Sequence, residues 1–154
     1  MLDLVLYEPE IPPNTGNLIR LAANSGMRLH LVKPYGFHFD DKTLARAGLD
    51  YHDIAAVTQH FDWSTCRGYF DRRRLFAVTT KAAQRYDQPR FRPDDVLVFG
   101  PETRGLPRSV LDEFEPNRQL RVPMQTGSRS LNLSNAAAIV AYEAWRQLDF
   151  AGGS

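Results

Sequence analysis

Val96-Leu97-Val98-Phe99-Gly100-Pro101-Glu102-Thr103-Arg104-Gly105-Leu106-Pro107 is the stretch on which the fold turns. Its first four residues are apolar without alternation, so both faces of the segment need cover, as in a strand of a parallel sheet. A Gly-Pro-Glu turn closes the run. Pro107 then suits the first turn of a helix, where its missing N–H removes no helical hydrogen bond. Strand, loop and helix in that order predict an α/β unit whose loop lies beyond the carboxyl end of a strand, the place where open α/β sheets bind ligands.

Similar short runs occur at 2–7, 29–32, 55–58, 75–79 and 120–122, with helical patterns between several of them. Residues 16–25 place Leu18, Leu21 and Ala22 on one face, with Asn14 or Thr15 as cap and Gly26 as stop. A second helix is expected from Pro107 through Val110, Leu111 and Phe114. In the last helix Leu133, Ala136, Ala137, Val140, Ala141, Ala144, Trp145 and Leu148 recur at steps of three and four, a core stripe. Beside it run Ile139, Glu143, Arg146 and Phe150, with Tyr142 also off the core centre; this is either a dimer contact or the edge of a wide core stripe. The reading is one α/β domain over 1–150, a mostly parallel sheet flanked by helices, with 151–154 expected to fray.

Composition agrees. The chain has 154 residues, 43% hydrophobic and 24% charged, ordinary for a soluble domain of common size. Cys66 is the single cysteine, so no intrachain disulfide forms, and no Cys/His spacing suits zinc. His30, His38, His52 and His60 make no local metal pair, there is no Gly-x-Ser-x-Gly elbow, and Cys66 reads as packing. No metal is expected. The opening residues lack a positive leader and no apolar run reaches the roughly 18 residues of a membrane span, so a cytoplasmic protein off the membrane is expected. The net charge of +1 hides an asymmetry. Residues 67–92 carry Arg67, Arg72, Arg73, Arg74, Lys81, Arg85, Arg90 and Arg92 against Asp71 and Asp87, a local +6. Such a block suits contact with phosphates, although a solvated face explains it as well.

Three post-strand loops can carry chemistry. In 8–20, Asn14, Asn17 and Arg20 offer donors near a helix start, as an anion or ribose site or as simple capping. In 100–107 no Lys-Ser/Thr follows the glycines, so this is no P-loop; Glu102 can hold a ribose hydroxyl or a cationic centre, or simply pair with Arg104 in a surface turn. Residues 122–135 lead into the last helix and are rich in Gln, Thr, Gly, Ser and Asn, able to wrap a polar small molecule or to serve as a capped loop. Tyr35, Phe37 and Phe39, after Lys33-Pro34, can stack on an unpaired base or pack locally.

Taken in order, Asn14-x-Gly16-Asn17-x-x-Arg20, Phe99-Gly100-x-Glu102-x-x-Gly105, and Val122-Pro123-Met124 through Ser130-Leu131-Asn132-Leu133-Ser134-Asn135-Ala136 resemble the three motifs of the SPOUT-class RNA 2′-O-ribose methyltransferases. The resemblance spans essentially the whole chain. Its short length and the opening Pro9-Glu10-Ile11-Pro12-Pro13-Asn14-Thr15-Gly16-Asn17 resemble the branch acting on the wobble ribose, nucleotide 34, of tRNA.

The resemblance implies a C-terminal deep trefoil knot, a homodimer, and S-adenosylmethionine held by Val78, Gly100, Val122 and Ser130 with Leu131 nearby, leaving S-adenosylhomocysteine as product. It implies tRNA as partner, with leucine isoacceptors the expected substrates. Arg20, Asn14, Glu102 and Asn132 match the catalytic positions. A guanidinium is not deprotonated in proteins, so Arg20 is read as a phosphate clamp that stabilises developing alkoxide rather than as a base. With RNA as substrate, Arg72, Arg73, Arg74 and Arg85 become the expected RNA-binding surface. Ribosomal RNA, another tRNA position, or a non-catalytic RNA-binding dimer are the alternatives.

Overall fold

The computed structural model describes residues 1–46 and 48–154, with the backbone alone at 41, 44, 51 and 55. In chain order the elements are β1 (Asp3–Tyr7), α1 (Pro12–Ser25), β2 (Arg28–Val32), α2 (Asp41–Arg46), α3 (Tyr51–Ala55), β3 (Thr58–His60) and α4 (Trp63–Phe70). Then follow β4 (Leu75–Val78), β5 (Gln84–Arg85), β6 (Val96–Phe99), α5 (Arg108–Leu111), a 3₁₀ turn (Pro116–Arg118), β7 (Gln119–Arg121) and α6 (Leu133–Gln147). The strands form one sheet in the order β3-β2-β1-β6-β4-β7-β5, and every pairing is parallel.

Both faces of that sheet are covered, which is why its central strands carry no polar alternation. On one face Leu4, Leu6, Leu29, Leu31, Leu97 and Phe99 meet Leu18 and Ile19 of α1 and Ala137, Val140, Ala141 and Ala144 of α6. On the other, Val5, Ala77, Val96 and Val98 meet Cys66 and Phe70 of α4 and Val110, Leu111 and Phe114. Each fully buried Leu or Phe contributes about 1.5–3 kcal/mol relative to exposure. The alanine stripe of α6 is what lets it lie close on α1 and the sheet.

Several boundaries differ from the sequence expectation. Helix α1 starts at Pro12, with Ile11 as N-cap and no side-chain cap, because two prolines already hold helical φ. Asn14 and Thr15 are therefore buried inside the helix rather than capping it. Gly26 does end it, at φ 72°. The strand expected at 55–58 is displaced: an Asp50–Asp53 capping box starts α3, and β3 begins at Thr58. Helix α5 stops at Leu111, short of Phe114. Strand β5 has the sequence Gln-Arg and no apolar signal to announce it. The tail 151–154 is exposed, with the Ala151 carbonyl accepting from Trp145 Nε1 at 3.0 Å.

One crossing shapes the functional edge. Val78 pairs with Leu120 on one side of β7, and Gln84 pairs with Leu120 on the other. The strap 79–83 therefore steps across β7, tied by Thr79 N–H to Leu120 O at 2.8 Å. Chain leaving β7 at Val122 emerges beside that strap, next to the 100–105 loop. Among the described residues, no helix is long and apolar enough to cross a membrane.

Candidate active site

Beyond the carboxyl ends of β4, β6 and β7 lies a cleft of about 230 Å³. Val78, Gly100, Val122, Ser130 and Leu131, drawn from three separate segments, all line it. Phe99, Leu106, Leu133 and Ala136 supply apolar wall, and Thr79, Thr80 and Ser130 add hydroxyls. The 100–106 loop folds back tightly on its own start. A Cβ on Gly100 would lie 2.3 Å from Leu106 N, and Gly105 makes the reversal at φ +68°.

Against this cleft stands a chain of polar contacts. The Glu102 carboxylate accepts from Glu10 N–H at 2.9 Å, Ile11 N–H at 2.6 Å and Asn14 Nδ2 at 3.3 Å. Asn14 Oδ1 accepts from Asn132 Nδ2 at 3.0 Å. Asn132 Oδ1 in turn caps α6, accepting from Ser134 N–H at 2.9 Å and Asn135 N–H at 3.3 Å. Ser134 Oγ accepts from Asn17 Nδ2 at 3.4 Å. Asn14, Glu102 and Asn132, up to 118 positions apart in sequence, are thus one connected unit.

The clasp is two-way. While Glu102 takes the N–H groups of the 8–14 loop, Glu10 takes Thr103 N–H at 2.9 Å and Thr103 Oγ1–H at 2.7 Å. The Thr103 N–H holds the Glu10 carboxyl below the usual range for glutamate. Arg104 pairs with Glu8 at 3.4 Å and Glu10 at 3.6 Å, so the simple Glu102–Arg104 turn is not what forms. Sequence reasoning named Asn17 as a donor and Ser134 within the third motif, but it did not single out Glu10 and Thr103 as site-forming residues. Glu10 and Thr103 sit in the quoted loops, but their pairing spans 93 positions and no local spacing announces it.

Arg20 lies apart from this unit. Six residues beyond Asn14 on α1, it is exposed, and its guanidinium donates to the Gly48 carbonyl at 3.1 Å. Among the described residues its other N–H groups have no partner, leaving donors for an anion.

The expected basic surface is largely committed elsewhere. Arg73 pairs with the wholly buried Asp3 and donates to the Asp94 carbonyl. Arg74 makes a bidentate pair with buried Asp95, at 2.8 and 2.6 Å. Both also lie over phenylalanine rings, Phe70 and Phe76. Arg85 is bidentate to Asp87 at 2.9 and 3.0 Å. Arg72 is exposed. Residues 72–74 precede β4, so they stand at the amino edge of the sheet, opposite the cleft. Two of these four arginines, Arg73 and Arg74, thus pair with buried carboxylates, while Arg85 pairs at the surface and Arg72 stays exposed. No cluster of His, Cys, Asp and Glu able to hold a metal occurs among the described residues.

Residues 1–142 match the SpoU rRNA Methylase family. The chain belongs to this family. It is 59% identical over 152 residues, 99% of each chain, to the tRNA (cytidine(34)-2′-O)-methyltransferase of Methylovorus glucosotrophus. A solved structure described as giving structural insights into 2-OH methylation of C/U34 on tRNA matches at TM-score 0.89 and 45% identity, covering 97% of both chains. The SpoU methyltransferase AviRb from Streptomyces viridochromogenes, solved with AdoMet, shares the fold at TM-score 0.83 and 21% identity, over all of this chain and 59% of that one. Membership of the SpoU family agrees with the SPOUT-class motifs and with the parallel sheet.

Proposed function

We propose that the protein transfers the methyl group of S-adenosylmethionine to the ribose 2′-hydroxyl of nucleotide 34, cytidine or a modified uridine, in tRNA, leucine isoacceptors included. One observation carries the reading: a cleft lined by all five cofactor positions abuts the Glu102–Asn14–Asn132 unit. The relative that acts on cytidine 34 of tRNA supports the substrate.

The cleft fits the donor. Its apolar walls suit a purine, and the hydroxyls of Thr79, Thr80 and Ser130 together with loop backbone groups suit ribose and amino-acid ends. Val78, Gly100, Val122, Ser130 and Leu131 would hold it. When bound, S-adenosylmethionine supplies an electrophilic methyl on sulfur and leaves as S-adenosylhomocysteine. Displacement is in line, so the protein's first task is alignment. Glu102, Asn14 and Asn132 perform it by locking three loops to one another. Arg20 holds the RNA phosphate and stabilises negative charge developing on the 2′-oxygen. Glu102 and Glu10 already accept N–H donors, so the proton leaves more readily to phosphate or water than to either carboxylate.

Residues 1–150 act as one catalytic domain, and the trefoil knot of the class is assigned to the crossing at strap 79–83. The protein works as a homodimer in the cytoplasm, without a metal. Support for the dimer comes from α6 and the turn after it, where Ile139, Tyr142 and Phe150 are 37%, 42% and 44% exposed and the rings of Tyr142 and Phe150 pack on Trp145. Incubating the protein with methyl-labelled S-adenosylmethionine and undermethylated total RNA, then mapping new 2′-O-methyl groups, tests the reading. Label at nucleotide 34 of a few tRNAs is the expected result. Label in ribosomal RNA or elsewhere in tRNA refutes the substrate and keeps the chemistry; cofactor binding without label on a competent RNA points to a non-catalytic RNA-binding dimer.

A further inference from the structure

The loop after β2 lies on the same edge as the cleft, and the proposed chemistry leaves it unused. Tyr35 and Phe39 pack on the main core, and the Tyr35 hydroxyl donates to Gln59 Oε1 at 3.0 Å. The Tyr35 ring is therefore fixed at both ends. Phe37 lies on it, ring centroids 5.6 Å apart and planes 17° from parallel, and is itself half-buried. The loop is tied to the active site: Gly36 N–H donates to Pro9 O at 2.9 Å, and a Cβ on Gly36 would lie 3.0 Å from Glu10 Cα. Glu10 is the residue whose N–H holds Glu102.

We infer that the Tyr35–Phe37 stack is the platform for an unpaired RNA base adjoining the methylated nucleotide. The inference rests on the reading that the substrate is a single-stranded RNA loop. Such loops offer unstacked bases, every base has a π-face, and a ring already fixed by its neighbours loses little freedom on binding. Exposed Lys33, at the start of the loop, adds a cation for the adjacent phosphate.

The test is binding of a hairpin carrying the anticodon loop, to the wild type and to Phe37→Ala, Phe37→Leu and Phe37→Tyr, with S-adenosylmethionine affinity measured in parallel. Single abasic sites are then placed at each loop position. Ala and Leu are expected to weaken RNA binding about 5- to 100-fold and Tyr to restore it, with cofactor affinity unchanged. One abasic position should weaken the wild type equally and add nothing to Phe37→Ala. Wild-type binding by Phe37→Leu, or losses from ring and base that simply multiply, would overturn the stack in favour of local packing. If methylation maps outside nucleotide 34, the wobble reading fails; the same scan on the RNA that is methylated still decides the platform.

Discussion

The two edges of this sheet, separated by strands of four or five residues and so by roughly 15 Å, handle polar groups in opposite ways. At the amino edge the charges are dense, and the buried carboxylates are paired with arginines. Asp3, 0% exposed, takes Arg28 and Arg73, and Asp95 takes Arg74. At the carboxyl edge amides, backbone N–H groups and the carboxylates of Glu102 and Glu10, the latter also paired with Arg104, hold loops together, and further along α1 Arg20 keeps donors without a partner among the described residues. The lesson is that charge density in a sequence does not tell which charges are already paired. What matters is whether a charge already has its partner.

The sharpest way to break this contrast is Arg20→Ala. Methyl transfer should fall about 100- to 1,000-fold, the scale of losing one group that stabilises transition-state charge, while cofactor affinity and Tm stay put. Collapse of cofactor binding instead would give Arg20 a different job. Asp3→Asn is the matching change at the other edge. It leaves Arg28 and Arg73 facing an uncharged group and should cost about 3–5 kcal/mol in urea unfolding, with activity per folded molecule unchanged. A loss of activity without a loss of stability would mean that the edges are not separate.

Glu102→Gln probes the clasp. Both carboxylate oxygens accept N–H groups, and an amide sets a donor against one of them, so about 1–3 kcal/mol of stability and about 10- to 100-fold of transfer rate should go together.

A smaller effect comes from pH. Burial pushes the Asp3 carboxyl up, but the nearby His30 ring, 3.8 Å away, and hydrogen bonds from Arg28 and Arg73 outweigh it and hold it at about 2, below the ordinary 3.8. Its contribution, about 2 kcal/mol, is present above 3.8 and lost as pH falls through 2. Burial, followed by the neighbouring His30, lowers His60 below its ordinary 6.5, so that contribution is present above 6.5 and fades as pH drops beneath it. Urea midpoints between pH 8 and 3 should show the His step first, and His60→Gln should remove it. The smallest effect is expected for Arg72→Glu, which should change tRNA affinity less than about twofold by filter binding. A tenfold loss would return the amino edge to the RNA.

Much of this was legible in advance. The unbroken apolar runs at 96–99 and 75–78 required cover on both faces, and the alanine-rich stripe from Leu133 to Leu148 could only be a closely packed helix. Asn14, Glu102 and Asn132 were marked together through the family motifs. Their roles were not, because Asn14 reads as a cap until Pro12 and Pro13 are seen to start the helix two residues earlier. Strand β5 was invisible, since Gln84 and Arg85 pair with β7 through backbone alone.

The sequence by itself determined the class of fold, the covered sheet and the loops that matter, because hydrophobic period and turn chemistry are local and survive in one dimension. Tertiary structure alone decided which charges are free. Ion pairs such as Arg73–Asp3, across 70 positions, and contacts such as Asn132–Asn14, across 118, arise where strand order brings distant segments to one edge. No spacing along the chain encodes that order, and the electrostatics of a side chain depends on what stands beside it.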